Sequence, residues 1–169
     1  GMTKPAFKRF ENNKYIPWDV YDYGFKANLS DINASILEEQ VINYAETAKT
    51  KKKIFEEYKQ ALSPIKQISI PVENKNKNRD YYLFPIGVKS NVRNKLISYL
   101  LENKIFVTVN FRSITDLNYY KKKYKVFSCK ESKKWGEETL SLPFHSKITK
   151  NEIKIVSKKI QRFFSKTIK

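Results

Sequence analysis

The sequence has little of what most enzyme active sites are built from. Of its 169 residues, one is histidine (His145), one is cysteine (Cys129) and four are glycine. A single cysteine excludes a disulfide within the chain and a thiolate metal cluster, and a single histidine excludes a two-histidine metal site. Neither a G-x-G-x-x-G motif nor a phosphate-binding P-loop occurs. We therefore expect no catalytic residue and no metal site in this chain alone.

Long hydrophobic runs are also missing. No apolar stretch approaches the roughly 20 residues that a helix needs to span a membrane. We therefore expect no membrane partner and a cytoplasmic location. The composition is nevertheless that of a folded chain, with 40% hydrophobic and 14% aromatic residues, and the length is sufficient for one domain with a real core.

Acidic residues are scarce, because 17 Asp and Glu stand against 34 Lys and Arg, for a formal net charge of +17. Such a charge is compatible with a nucleic-acid partner. However, 29 of the basic residues are lysine and five are arginine, whereas arginine makes the bidentate contacts to phosphates and bases. We interpret the lysine runs at residues 51–53 and 121–123 as solvated surface. A stand-alone basic α/β module that binds nucleic acid or an anionic surface remains the alternative function.

Periodicity and capping signals divide the chain into three parts. Residues 2–29 read as an irregular segment that ends in a loop. Residues 30–62 read as one long linking helix, capped by Ser30 or Asn28 and stopped by a Ser-Pro pair. Residues 63–169 read as a small α/β domain. Its predicted elements are strands at 81–88 and 105–111, helices from 90 and over 132–139, an extended stretch at 140–144, and a last helix that opens on the capping box Thr149 to Glu152.

Three separated motifs resemble one family. The segment GFKANLSDINASILEEQ, residues 24–40, is similar to a loop-and-helix motif of the DegT/StrS family of pyridoxal-phosphate (PLP)-dependent sugar aminotransferases. VTVNFRSITDLNYYKKKY, residues 107–124, and LSLPF, residues 140–144, resemble two later motifs of that family. Within the family, the 4-amino-4-deoxy-arabinose aminotransferases are the most similar branch.

The resemblance implies both a fold and a function. The fold is the small C-terminal domain of a fold-type-I PLP aminotransferase: a long linking helix plus a small, mostly antiparallel sheet with helices packed on it. The function is the C-terminal portion of an enzyme that moves an amino group from glutamate to a keto sugar on a nucleotide. The cofactor domain, with its Schiff-base lysine, would lie upstream of Thr3. We therefore expect the chain alone to bind no PLP and to be inactive.

The resemblance also assigns binding residues. In the family's homodimers the loop after the glycine reaches the neighbouring subunit's PLP phosphate, a role that falls here to Lys26, with Asn28 nearby. An ammonium and an amide both suit a phosphate. The alternative is that Lys26 is merely solvent-exposed and Asn28 caps the helix. Asn110, where the family generally has histidine, and Arg112 are the expected substrate contacts. The expected partner is a second copy or a separate cofactor-domain chain, and not nucleic acid.

Overall fold

The computed structural model describes residues 10–11, 14–15, 22–25, 28–71, 80–124 and 129–167. The chain forms two compact units, Gly1–Ile42 and Asn43–Lys169. The first unit holds a short antiparallel hairpin, β1 (Phe10–Glu11) and β2 (Lys14–Tyr15), and helix α1 (Asp31–Ile42). The boundary between the units therefore falls inside the predicted linking helix.

The predicted single helix over residues 30–62 is two helices. The second, α2 (Tyr44–Leu62), begins after Asn43, whose carbonyl oxygen accepts a hydrogen bond from the amide of Thr47 at 3.1 Å. Asparagine has low helix propensity, and this favours a break at this position, although the Asn43 side chain makes no capping hydrogen bond. Ser63 ends α2 as expected, since Pro64 follows it.

Ser30 is the residue that caps α1. Its hydroxyl oxygen accepts a hydrogen bond from the amide of Asn33 at 3.3 Å, and its carbonyl oxygen accepts one from the amide of Ala34 at 2.8 Å. Two amides of the first helical turn are thereby satisfied. No residue of α1 is buried.

The second unit contains a three-stranded antiparallel sheet in the order β3 (Ile68–Ser69), β4 (Phe84–Val88), β5 (Thr139–Leu142). This small sheet with helices around it confirms the predicted fold class. Pro85 is tolerated in the central strand because β3 pairs only with Gly87 and Val88. At Pro85 the described neighbour of β4 is β5 alone, so the strand is locally an edge.

Four helices complete the second unit: α3 (Ser90–Glu102), α4 (Asn118–Lys123), α5 (Lys130–Glu138) and α6 (Lys150–Thr167). A single turn of 3-10 helix, Ile114–Asp116, precedes α4. One face of the sheet supplies Phe84, Ile86 and Leu140 to a core that α2, α3 and α6 close. None of the described helices is both long and apolar enough to cross a lipid bilayer.

The last helix matches its sequence pattern closely. The amide and hydroxyl of Thr149 both donate to Glu152 Oε2 at 2.8 Å, and the amide of Glu152 donates back to the Thr149 hydroxyl oxygen at 3.2 Å. This is the predicted capping box. On the core-facing side of α6, Phe164 is buried and Phe163 is only partly buried.

The predicted strand over residues 105–111 is wrong. Only Thr108 pairs, in an isolated antiparallel bridge to Ser141. The alternation behind the prediction is present, since Ile105 is buried and Phe106 is exposed. Alternation of apolar and polar residues indicates that one face of a segment is buried. A strand also needs a neighbour that forms hydrogen bonds along its length, and here the pairing stops after one residue pair.

Candidate functional site

The four predicted site residues fall in different parts of the chain. Lys26 lies outside the described residues. Asn28 is exposed in the first unit, just before the helix cap at Ser30. The cap contacts therefore come from Ser30, and the Asn28 amide is left at the surface. Asn110 and Arg112 belong to the second unit, where they lie two residues apart in the segment that follows the Thr108 bridge.

The segment of residues 110–112 combines a half-buried amide with two exposed side chains. Asn110 is half-buried, and its Oδ1 atom is buried with no hydrogen-bond partner among the described residues. Phe111 is 72% exposed, and Arg112 is exposed. An amide, an aromatic ring and a guanidinium therefore follow one another along this segment. Such a set can bind hydroxyl and anionic groups and can stack on a flat ring, but it contains no nucleophile or base.

Backbone hydrogen bonds hold the N-terminal end of this segment. The amide of Thr108 donates to the carbonyl oxygen of Ser141 at 3.3 Å, and the amide of Ser141 donates to the carbonyl oxygen of Thr108 at 2.7 Å. Ser141 is itself part of β5, which lies against the central strand. The start of the candidate site is thus tied to the sheet.

Ser113 fixes the C-terminal end of the segment of residues 110–112. It is buried, its hydroxyl lies 2.7 Å from the Thr115 hydroxyl, and the hydroxyl of Ser132 donates to it at 3.0 Å. Helix α5 approaches the same place through Gly136, where a Cβ would lie 2.8 Å from the Ser113 nitrogen and 3.2 Å from the Phe111 carbonyl oxygen. Gly136 therefore allows the close approach of helix backbone to site backbone.

Further polar atoms without partners lie on β5 and on the Arg93 side chain that contacts it. Arg93 Nη1 donates to the carbonyl oxygen of Thr139 at 3.3 Å, and Arg93 Nε, Thr139 Oγ1 and Ser141 Oγ are buried with no partner among the described residues. Ser141 is also the residue that pairs with Thr108, two residues before Asn110. Buried polar atoms of this kind are normally satisfied by water or by a ligand. We call Arg93, Thr139 and Ser141 the polar floor, and Ser141 links it to the start of the segment through the Thr108 bridge.

Sequence reasoning missed the residues of this polar floor and the glycine beside it. No local sequence signal marks these residues, which are Arg93, Thr139, Ser141 and Gly136. Their roles depend on the distant backbone segments that they contact in the fold. The two-residue spacing of Thr139 and Ser141 on an extended stretch does place them on one face of a strand. That spacing is the only signal in the sequence that could have grouped any of them.

No metal or hydrolytic centre is assembled in the part of the chain that the structure describes. That part contains no group of three His, Cys, Asp or Glu side chains placed to hold a metal ion. His145 and Cys129 are both exposed.

Comparison with known proteins identifies the family. The model of the DegT/DnrJ/EryC1/StrS aminotransferase family matches residues 1–161. The spore coat polysaccharide biosynthesis protein SpsC of Bacillus subtilis is 25% identical over 160 residues, covering 90% of this chain and 41% of SpsC. The uncharacterized protein MJ1066 of Methanocaldococcus jannaschii is 24% identical over 172 residues, covering 98% of this chain and 44% of that protein.

Solved structures share the fold. The aminotransferase TlmJ from Streptoalloteichus hindustanus superposes with a TM-score of 0.80 at 20% identity, covering 89% of this chain and 41% of TlmJ. The putative sugar aminotransferase Spr1654 from Streptococcus pneumoniae, solved in its PMP form, superposes with a TM-score of 0.79 at 21% identity, covering 98% of this chain and 42% of that protein. The chain thus spans less than half the length of these relatives.

The family is PLP-dependent, and one structural neighbour, DesV of S. venezuelae, was solved with a ketimine intermediate. The family model extends over nearly the whole chain, and the fold agrees with it. The chain belongs to the DegT/DnrJ/EryC1/StrS aminotransferase family.

Proposed function

We propose that this chain is the C-terminal portion of a PLP-dependent nucleotide-sugar aminotransferase, which transfers an amino group from glutamate to a keto sugar. One observation carries the proposal: the family model matches residues 1–161, although the chain covers only 41–44% of its curated relatives. The described residues offer binding groups without a nucleophile or base. The chemistry would therefore be supplied by a cofactor domain outside these 169 residues.

The partner of this chain in the proposal is a cofactor domain on a separate polypeptide, and a second copy of the chain is the alternative partner. When bound, PLP supplies the electron sink for amino transfer. The residues present fit one wall of a phosphate site. Asn28 is exposed just before the capped start of α1, and Phe25 in the same loop is fully exposed. Exposed residues on both sides of position 26 suit contact with another domain's cofactor, with Lys26 supplying the charge and Asn28 a hydrogen bond.

Asn110 and Arg112 contact the sugar substrate in this proposal. The amide of Asn110, the guanidinium of Arg112 and the polar floor at the Thr108 bridge would provide hydrogen-bond donors and acceptors for hydroxyl and phosphate groups. Because both ends of the segment are held, by the Thr108 bridge and by Ser113, these groups are positioned before the substrate arrives. Preorganisation of this kind lowers the entropic cost of binding.

The motifs at residues 24–40, 107–124 and 140–144 favour a 4-amino-4-deoxy sugar as the product. The likeness to SpsC favours a role in polysaccharide biosynthesis. A purified enzyme assembled from both halves, supplied with glutamate and a set of nucleotide-linked keto sugars, would identify the substrate. Amination of a 4-keto pentose ahead of 4-keto hexoses would support the arabinose branch, and the reverse order would contradict it.

Reconstitution tests the function itself. The 169-residue chain is mixed with the cofactor domain of a close homologue, and amino transfer from glutamate is followed by 2-oxoglutarate release. We expect no activity and no borohydride-reducible aldimine in this chain alone, and activity in the mixture. A stable aldimine mapped to one lysine of this chain, or a mixture that stays inactive while the two halves bind each other, would refute the proposal.

The basic-module alternative is not favoured by the family match. It makes a distinct prediction, because neutralisation of several phosphates gives a steep loss of affinity with salt. Tight DNA binding that falls steeply between 50 and 200 mM salt would revive it.

A further inference from the structure

A groove between α2 and α6 combines features that the aminotransferase proposal does not use. It encloses about 360 Å³ and is lined by Glu57 and Ala61 of α2 and by Lys150, Lys154 and Lys158 of α6. The small side chain of Ala61 leaves room between the two helices. None of the lining residues belongs to the segment of residues 108–113.

Ser157 lies in the same groove and is unsatisfied. Its side chain is 6% exposed, and its Oγ atom is buried with no hydrogen-bond partner among the described residues. A helical serine can usually bond back to the carbonyl four residues earlier, and this bond is not made here. A buried hydroxyl without a partner costs free energy, and such groups are normally satisfied by an ordered water or by a ligand.

The charged residues that α6 contributes to the groove are all lysines. Positions 150, 154 and 158 repeat every four residues, so the three lysines lie along one face of α6 with Ser157 beside them. Lys150 Nζ lies 3.2 Å from Glu57 Oε1. Lys154 and Lys158 form no ion pair with the described residues. Three lysines and one glutamate leave the groove a net charge of +2.

We propose that this groove binds a phosphate group. A phosphate carries about −1.5 to −2 charges at pH 7 and three strong acceptor oxygens, which match the net charge of the groove. Lys154 and Lys158 supply ammonium donors from one helix, and the Ser157 hydroxyl supplies the buried donor that fixes the position of the anion. The groove is a second ligand site, separate from the substrate segment at residues 110–112.

Titration calorimetry of the 169-residue chain with inorganic phosphate, at constant ionic strength in chloride, tests the proposal. We expect saturable binding that Lys154→Gln with Lys158→Gln weakens about tenfold or more. The matched control is Lys52→Gln with Lys53→Gln, which removes the same charge from exposed positions of α2 outside the groove. This control should change the affinity less than twofold.

The variant Ser157→Ala tests whether the Ser157 hydroxyl binds a ligand or only packs between the two helices. It should weaken phosphate binding severalfold while leaving the unfolding temperature without phosphate unchanged or raised, because it removes an unsatisfied buried hydroxyl. The surface lysine variants keep the test decisive even if Ser157→Ala folds poorly. No saturable binding, or equal losses in the two double-lysine variants, would overturn the proposal.

A second titration with a nucleoside diphosphate identifies the source of the phosphate. Tighter binding than inorganic phosphate, lost in the same Lys154 and Lys158 variant, would assign the groove to a phosphate ester of a larger molecule. Equal or weaker binding would assign it to free phosphate. The outcome is independent of amino transfer, since the assay contains no cofactor domain.

Discussion

Gly136 lies against the backbone of Ser113, so close that a Cβ on Gly136 would stand 2.8 Å from the Ser113 nitrogen. The contact joins α5 to the end of the candidate substrate segment. A side chain of any size would push two stretches of backbone apart, and backbone cannot rotate away as a side chain can.

The first prediction concerns Gly136→Ala. Helix propensity alone predicts that alanine stabilises α5 by roughly 1 kcal/mol. The contact with Ser113 predicts the opposite, a loss of about 1–3 kcal/mol from overpacking. We expect net destabilisation in urea unfolding, together with a weaker substrate affinity in the reconstituted enzyme. Gly87→Ala is the control, because its Cβ would meet the movable hydroxyl of Ser69. A more stable Gly136→Ala variant would show that α5 does not constrain the site.

The second prediction separates the two pairs of site residues. In the reconstituted enzyme, Lys26→Ala should weaken PLP retention about ten- to a hundredfold, since a charge-assisted phosphate contact is lost. Asn110→Ala and Arg112→Ala should instead raise KM for the nucleotide sugar with PLP retention unchanged. Absorbance of the bound cofactor during dialysis measures the first effect, and initial rates measure the second. Lys49→Ala, an exposed change on α2, is the control. Unchanged PLP retention in Lys26→Ala would rule out the phosphate role.

The third prediction concerns the exposed apolar residues of α1. Ile32 is 76% exposed and Ile36, one turn later, is 54% exposed. Surfaces of this kind are seldom left bare. We expect the chain to self-associate with rising concentration, and Ile32→Lys with Ile36→Lys to weaken the association at least tenfold, because burial of one such side chain is worth about 1.5–3 kcal/mol. Sedimentation velocity measures the shift.

The control for that experiment lies in the second unit. Leu101→Lys with Ile155→Lys changes two similarly exposed apolar residues, one on α3 and one on α6. It should leave the association unchanged. A wild-type chain that stays monomeric at every concentration and binds no hydrophobic dye would contradict the prediction.

The fourth prediction concerns Tyr58. Its ring is fully buried against Phe84, and its hydroxyl donates to the carbonyl oxygen of Pro143 at 3.0 Å. Tyr58→Phe should cost about 1 kcal/mol of unfolding free energy at neutral pH, because the carbonyl oxygen loses its partner. Tyr82→Phe, at an exposed ring, should cost nothing measurable.

The same residue adds a pH dependence. Burial, and secondarily the negative charge of Glu152, raise the pKa of the Tyr58 hydroxyl above its ordinary value of 10.0. Above about pH 10 the unfolded chain therefore loses this proton while the folded chain keeps it, so stability falls as pH rises. Stability of the wild type should fall more steeply above pH 10 than that of Tyr58→Phe. Parallel curves of stability against pH for the two proteins would contradict the raised pKa of Tyr58.

The fifth prediction concerns the capping box of α6. Hydrogen bonds from the Thr149 amide and hydroxyl lower the pKa of Glu152 below its ordinary value of 4.5. The stabilisation is therefore present above pH 4.5 and is lost as pH falls through the lower, folded-state pKa. Glu152→Gln should be less stable at neutral pH and should show a flatter acid limb in thermal unfolding. Glu137→Gln, an equal charge change at an exposed position of α5, should keep the wild-type slope. A wild-type slope in Glu152→Gln would contradict the prediction.

The sequence by itself determined the features that depend on near neighbours. The T-x-x-E signal predicted the cap between Thr149 and Glu152, and the two candidate caps Asn28 and Ser30 predicted the start of α1, where Ser30 makes the contact. The three motifs predicted the family before any fold was known, and the family match over residues 1–161 confirmed it. The caps can be predicted from sequence because their interacting groups lie within four residues of one another. The family can be predicted because its motifs are themselves stretches of sequence.

The tertiary structure alone decided which residues surround the candidate site. Arg93 meets Thr139 across 46 residues, Gly136 meets the backbone of Ser113, and the stretch after Ile105 pairs only at Thr108. The break at Asn43 was equally hidden, since apolar residues recur at roughly helical spacing on both sides of it, from Ile32 to Leu62. Contacts of this kind depend on how distant segments pack, and burial and close approach are properties of the assembled core.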